Sequence, residues 1–245
     1  MIRTAILLAA GEGSRLRTST PFKPLCPVAG VSLIDHALAG LAVAGITHTV
    51  VVLGYGAEAI EAHLANRGME GVKTVHSDHR HPNGVSVLAA RSAVEDRDDG
   101  DALLAMCDHL VDPALYARMA AAGAGNGLRL GVDRRLGHPW VDPLDVTCVA
   151  TRGELITAIG KGMVPHDCYD TGVFAIGPAL FAELAALPEP SLTEGVRALA
   201  ATGRARAVDC SDLDWIDVDD PPALARAEAW LGGPVAALAK AVAQP

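Results

Sequence analysis

The chain has 245 residues, half of them hydrophobic, with 20 lysines and arginines against 29 aspartates and glutamates and a formal net charge of −9. That length allows a well-buried core in one α/β domain, while the acidic balance argues against binding nucleic acid through its phosphates and leaves room for a small phosphate pocket with a few local cations. The five cysteines, Cys26, Cys107, Cys148, Cys168 and Cys210, form no C-x-x-C pair, which sets aside a zinc ribbon or thioredoxin-like motif and points to reduced thiols in a cytoplasmic protein.

"RTAILLAA" (3–10) reads as a buried strand ended by glycine. Glycines and charges break this apolar run at Gly11, so it lacks a signal peptide's layout, and no stretch is apolar for long enough to span a bilayer. No stable membrane insertion is expected. "SLIDHALAGLAVAG" reads as a helix capped by Ser32. "THTVVVLGY" is a second buried strand, "AEAIEAHLAN" a second helix and "VKTVH" a short strand. "GVSVLAARSAV" gives another helix, and the strand "DALLAMC" runs into Asp108. "DPALYARMAA" is a helix with Asp112 as its cap and Pro113 in its first turn.

This alternation predicts a largely parallel sheet covered on both faces. After about residue 125 the pattern changes. "DVTCVATRGELITAIGK" reads as a hairpin turning at Arg152–Gly153, and "YDTGVFAIG" as a strand. Helices over 178–186 and 191–201 and a strand over 204–209 follow. "WIDVDDPPALARAEAWL" closes with a helix begun by Asp220 and two prolines, and "VAALAKAVA" reads as a short packing or frayed helix. No repeat or linker interrupts the chain, which is taken as one domain over 1–245. Ligands of open α/β sheets sit beyond the carboxyl ends of the strands, where both the Gly11 loop and Asp108 fall.

In "GEGSRL" the glycines permit a tight turn whose N–H groups converge on an anion, and Arg15 and Lys23 supply charge. The dinucleotide fingerprint is excluded because Leu16 stands where its third glycine belongs, and the Gly-Lys-Ser/Thr of the NTPase loop is absent. By composition alone a structural turn is the better explanation of an isolated Gly-x-Gly, and the strand context, Arg15 and Lys23 shift the reading modestly toward a phosphate site.

"LAAGEGSRL" followed by "PFKPL" resembles the signature loop of the nucleotidyltransferases. "VSLIDHAL", "HPNGVSVLAA", "MCDHLVDP", "IGKGM", "YDTGVFAI" and "WIDVDDPPAL" continue the resemblance in order along most of the chain. The later segments are most similar to the CTP:inositol-1-phosphate cytidylyltransferases, with phosphocholine and phosphonate cytidylyltransferases as relatives. Two departures stand out: Cys107 occupies a position where glycine often precedes the metal aspartate, and Asp220 replaces a common threonine.

The resemblance implies a Rossmann-like nucleotidyltransferase fold, with a mixed, mostly parallel sheet, helices on both faces and a small β-hairpin insertion. It implies a nucleotide-binding part over 1–125 and an acceptor-binding, metal-completing part over 126–231. The nucleotide side would comprise Leu8, Ala9, Ala10, Gly11, Glu12, Gly13, Ser14, Arg15, Lys23, Asn83, Gly84 and Ser86, with Arg15 and Lys23 catalytic. Asp108, Asp217 and Asp219 would hold Mg²⁺, which favours oxygen ligands. Lys161, Asp170 and Thr171 would face the acceptor.

The implied reaction joins CTP to inositol 1-phosphate, giving CDP-inositol, a phospholipid precursor, and pyrophosphate. In some family members a membrane-embedded transferase follows this domain, so any lipid-forming step is expected to belong to another protein. Phosphocholine, a phosphonate or a sugar 1-phosphate remain as acceptors, with Trp140, Tyr169 and Trp215 as candidates for an aromatic cage. A non-catalytic nucleotide-binding regulatory module is the reading from another class, and a homo-oligomer is left open. For Asn83 and Ser86, helix capping competes with base-side binding. Asp220 reads as a helix cap, His76, His79, His81 and His109 as hydrogen-bonded or solvated rather than zinc-bound, and Trp215 as core.

Overall fold

The computed structural model describes residues 1–17, 19–95, 97 and 100–232. The segment "VAALAKAVA" lies outside the described residues. Strand β1 (Thr4–Ala9) is buried throughout. Its side chains alternate between two cores: Ala5, Leu7 and Ala9 join one apolar cluster, Ile6 and Leu8 another. A strand covered on both faces needs this unbroken apolar sequence.

A small hairpin, β2 (Pro27–Val28) and β3 (Val31–Ser32), precedes helix α1 (Leu33–Val43). Ser32 caps α1 by accepting the Asp35 N–H at 3.3 Å. Then come β4 (His48–Leu53), α2 (Ala57–Arg67) and β5 (Val72–His76). The single helix expected over 84–94 is divided at Ala90 into α3 (Asn83–Ala89) and α4 (Arg91–Val94). β6 (Ala102–Met106), β7 (His109–Val111) and α5 (Pro113–Ala122) follow. Asp112 caps α5 through the Ala114 N–H at 2.9 Å.

The sequence pattern does not announce β8 (Leu128–Asp133). The expected hairpin is β9 (Thr147–Arg152) and β10 (Leu155–Lys161), and β11 (Cys168–Ile176) lies beyond it. The chain continues through α6 (Pro178–Ala185), α7 (Leu192–Ala201), β12 (Ala205–Asp209), β13 (Trp215–Asp217) and α8 (Pro221–Gly232). Asp220 accepts the Ala223 N–H at 2.7 Å and so caps α8.

Nine strands form one sheet in the order β5-β4-β1-β6-β11-β8-β12-β10-β9. Only β11 and β10 run against the other strands of that sheet. The hairpin extends the sheet at its far edge, where β10 pairs with β12, and β9 also meets the start of β11. Helices α1, α2 and α5 cover one face, and α3, α4, α6 and α7 the other. A third apolar cluster joins Leu16, Val28 and Leu33 to Ile216, Val218 and Ala227, seating α8.

Two pairings position the site. Leu8 lies beside Met106 in the parallel β1–β6 ladder, and Cys107 N–H donates to the Leu8 carbonyl at 3.0 Å. The glycine loop and Asp108 therefore leave the sheet side by side. The antiparallel β7–β13 pair sets Asp217 opposite His109, and Val218 N–H donates to the Asp108 carbonyl at 2.9 Å. That ladder brings residues more than a hundred positions apart to one place.

Behind this ladder the Asp133 carboxylate, fully buried, accepts from Arg135 Nε at 3.0 Å and from Trp215 Nε1 at 2.9 Å. Burial disfavours its charge, but these donors outweigh burial and hold its pKa below the ordinary value. A lowered folded-state pKa gives stabilisation that is complete above about pH 4 and lost as pH falls below it. Asp133→Ala should therefore cost about 3 kcal/mol and lower the melting temperature by roughly 10 °C, seen by calorimetry at pH 7. The difference from wild type should shrink toward pH 3.

Candidate active site

Gly13 adopts a left-handed conformation at φ +56 and opens the short 3-10 turn Ser14–Leu16. A second such turn, Lys23–Leu25, begins at Lys23. The two are fitted together: a Cβ on Gly13 would lie 2.3 Å from Lys23 Cβ. Phe22 is wedged against Gly56, where a Cβ would come within 2.2 Å of its ring, and this fixes the Lys23 backbone. Gly11 differs, since a Cβ there would meet nothing within 4 Å. Its small size is not explained by protein packing.

The Lys23 side chain is 7% exposed. Its ammonium donates to Asp108 Oδ2 at 2.6 Å and to Asp219, and lies 3.8 Å from Asp217 Oδ1. The three expected metal carboxylates thus converge on one buried cation. Burial works against the Asp108 carboxylate, but Lys23 and His109 bring its pKa down to about 2. Burial, reinforced by the like charge of Asp108, raises that of Asp217 despite His109 and Lys23. Asp217 Oδ1 is buried with no hydrogen-bond partner. Arg15 pairs with Asp219 and with Asp145 Oδ2, the latter at 2.6 Å. Lys161 pairs with the other Asp145 oxygen.

His109 Nδ1 lies 2.9 Å from the Thr171 carbonyl, Nε2 lies 3.6 Å from Asp217, and the ring stacks on Trp215. Among the described residues, two groups have ligand atoms within 4.8 Å of one another: Asp108, His109 and Asp217, and the all-oxygen set Asp145, Asp217 and Asp219. The oxygen donors and the orphaned Asp217 atom fit a hard divalent cation such as Mg²⁺.

Three adjoining cavities share Asp108 as a wall. One, about 220 Å³, is lined by Leu8, Ala9, Gly11, Gly13, Ser14, Arg15 and Lys23. A second, about 210 Å³, is lined by Ala10, Gly11, His79, His81, Asn83 and Ser86. The largest, about 280 Å³, takes in Arg15, Asn83, Asp145, Lys161, Asp170, Trp215, Asp217 and Asp219. Burial pushes the Asp170 carboxyl up to about 6, against the Gly172 N–H and His109.

Some expected residues face elsewhere. Glu12 turns to Arg17 at 3.1 Å and His79 at 3.6 Å. Gly84 packs on the Pro190 carbonyl, only 2.4 Å from where a Cβ would be. The Thr171 hydroxyl is buried and donates to the Gly131 carbonyl at 2.8 Å. Asn83 accepts the Leu192 N–H at 2.8 Å, which satisfies the start of α7, and Ser86 bonds Ser77 at 3.0 Å, so both have structural partners while lining cavities. His76 and His81 have separate carboxylate partners in Glu61 and Glu189. Trp215 serves as both core and cleft wall. Asp145 is the site residue that sequence reasoning missed, because its partners lie 130 and 16 positions away on other elements.

Residues 5–207 match the family model described as a MobA-like NTP transferase domain. A Rubrobacter xylanophilus protein named "Bifunctional IPC transferase and DIPP synthase" is 32% identical over 229 residues, covering 91% of this chain and 51% of that one. Its namesake in Aquifex aeolicus is 30% identical, covering 94% and 52%. A Streptomyces rubellomurinus CMP-5'-(3-aminopropyl)phosphonate synthase is 31% identical, covering 89% and 37%. The chain spans about half the length, or less, of these curated relatives. The solved inositol-1-phosphate CTP transferase of T. maritima superposes with a TM-score of 0.82 at 22% identity, covering 95% of this chain and 97% of that one. A UDP-glucose pyrophosphorylase complexed with UDP-glucose gives 0.77 at 17%, covering 94% and 98%. These superpositions show the expected mixed α/β fold.

The two loop glycines should respond differently to substitution. Gly13→Ala should cost about 1–3 kcal/mol in urea unfolding, through its backbone strain and the displacement of Lys23. Gly11→Ala should stay within about 0.5 kcal/mol of wild type in the same measurement.

Proposed function

We propose that this chain, which belongs to the MobA-like NTP transferase domain family of nucleotidyltransferases, transfers a cytidylyl group from CTP to inositol 1-phosphate, forming CDP-inositol and pyrophosphate. The observation that carries the chemistry is the convergence of Asp108, Asp217 and Asp219 on Lys23 where three cavities meet. The choice of CTP and inositol phosphate is supported by the names of the relatives: "IPC transferase" for two, and inositol-1-phosphate CTP transferase for a structural neighbour.

In this reading residues 1–125 bind the nucleotide, and residues 126–231 bind the acceptor and complete the metal site. The loop N–H groups of Gly11–Ser14 cradle the β- and γ-phosphates, and Arg15 and Lys23 neutralise the triphosphate. Gly11 leaves its backbone open to that approach. The cavity beside Ala10, Asn83 and Ser86 takes the base and ribose. Asp108, Asp217 and Asp219 would hold Mg²⁺, which when bound supplies further neutralisation at the α-phosphate. Lys161 and Asp170 face the acceptor, with Thr171 acting through its carbonyl on His109.

A phosphate monoester has its second pKa at about 6, so the acceptor is already largely dianionic at neutral pH. Its oxygen attacks the α-phosphorus in line, the bond to the β-phosphate oxygen breaks, and pyrophosphate leaves. No general base is required, and the residues act by positioning and charge.

The test is pyrophosphate release with Mg²⁺, crossing CTP, UTP, ATP and GTP against inositol 1-phosphate, phosphocholine, an aminoalkylphosphonate and glucose 1-phosphate. CTP with inositol 1-phosphate should be the fastest pair. A different best pair overturns the substrate assignment, and release from none overturns the transferase reading in favour of a binding module. Lys23→Ala and Asp108→Ala should each lower kcat by at least about a hundredfold in folded protein. Near-normal turnover in either would sink their assigned roles.

A further inference from the structure

Two arginines and one lysine line the largest cavity, and they are not alike. Lys161 is held by Asp145, and Arg15 by Asp145 and Asp219. Arg226 pairs with no carboxylate among the described residues, and its Nε is buried without a hydrogen-bond partner. Acids are not scarce in this wall, but each near α8 or the 134–146 connection has other work. Asp220 caps α8, Asp142 accepts the Leu144 N–H at 2.9 Å, and Asp145 holds its two cations. Asp170 accepts the Gly172 N–H at 2.7 Å.

Helix α8 explains why Arg226 stands there. It follows Ala223 by three residues and precedes Trp230 by four, so the three share one row of the helix surface. Ala223 is small and buried, which leaves room beside the arginine, and it lines the same cavity. Trp230 packs on Trp140 of the 134–146 connection with ring centroids 5.3 Å apart, which fixes the other end of the row. An arginine kept only to solvate α8 would lay its stem on the surface and leave its nitrogens in water. Here a guanidinium that stays charged has a dry, unmet N–H in a cleft wall, and such a donor calls for a ligand.

We propose that Arg226 is a specificity-determining residue that reads the body of the acceptor, donating to neighbouring oxygens of a polyol and repelling an ammonium. The proposal rests on reading this cleft as the acceptor side. Two adjacent hydroxyl oxygens present acceptors to the parallel N–H groups of a guanidinium, much as a carboxylate does. An acceptor that ends in an ammonium brings like charge to the same fork and has no lone pair to offer it. Selection then combines an attractive contact with a repulsive one. Arg226 touches the body alone, so it acts on which acceptor binds and leaves the transfer step to the residues around Lys23.

The test is calorimetric titration of wild type, Arg226→Gln and Arg226→Lys in Mg²⁺ and a saturating non-hydrolysable analogue of CTP, or of the nucleotide that the substrate panel selects instead. The ligands are inositol 1-phosphate, phosphocholine and inorganic phosphate. Arg226→Gln should bind inositol 1-phosphate about tenfold more weakly, the worth of a charged hydrogen bond in an open cleft. It should bind phosphocholine about threefold more tightly and inorganic phosphate within about twofold of wild type, since solvent screens charge beyond direct contact. Arg226→Lys keeps the charge and loses the fork, so phosphocholine should stay at its wild-type affinity while inositol 1-phosphate remains weakened. Unchanged inositol 1-phosphate affinity, no gain for phosphocholine in Arg226→Gln, or an equal loss for all three ligands overturns the proposal. A substrate panel won by glucose 1-phosphate overturns the inositol assignment and leaves this proposal standing, with that sugar taking the polyol's place in the titration. A panel won by phosphocholine or the aminoalkylphosphonate overturns both, as does wild-type protein that binds none of the ligands.

Discussion

A lysine ammonium withdrawn from water must be paired, and around Lys23 that requirement organises the site. Desolvating such an ion costs several kcal/mol, which only close and multiple carboxylates repay. Asp108 and Asp219 touch it and Asp217 lies just beyond. Lys23 sits on the turn packed against Gly13, so satisfying its charge also sets the distance between the glycine loop and the acidic cluster. The carboxylates that surround it are too many for one cation, and in the proposed reading the surplus is what would hold a divalent ion.

The sheet supplies the precision. Parallel β1 and β6 deliver the loop and Asp108 from adjacent strands, and the short β7–β13 ladder adds Asp217 and Asp219 from near the end of the described chain. Trp215 fastens that ladder from behind through the buried Asp133 carboxylate, while its other face supports His109. A core ion centre and the reactive cluster are therefore consecutive links of one packed chain of side chains. In the proposed reaction this rigidity takes the place of a general base, because positioning and neutralisation are all that a phosphate nucleophile needs.

Much of this was legible in the sequence because its signals are local. Continuous apolar runs marked β1, β4 and β6, and Ser32, Asp112 and Asp220 cap the helices that their positions predict. The convergence of Arg15, Lys23 and the three aspartates was legible only through resemblance to a family. β8 escaped notice because Arg129 and Gly131 interrupt its apolar pattern for tertiary reasons. Arg129 reaches back to the Gly123 carbonyl at 3.0 Å, and a Cβ on Gly131 would lie 2.9 Å from the Thr171 hydroxyl. Thr171 matched an acceptor motif, yet its hydroxyl is spent inside the sheet, and no spacing rule reveals which way a strand residue points. Asp145 left no trace, since its meaning lies wholly in partners from other elements.

The connection that carries Asp145 has one more consequence. It runs between β8 and β9, exposes Leu136 and Leu144, and packs on α8 through Trp140 and Trp230 while only Val141 and Val146 reach the core beneath. The proposed nucleotide half, by contrast, hangs on strand register, where a one-residue slip would turn every side chain over. Mutation is thus free to rework the connection while the register beneath it stays untouched. In the proposed reading such a division makes the architecture evolvable: new acceptors could be tried by lengthening or recharging one surface segment, without renegotiating the machinery that would handle the nucleotide.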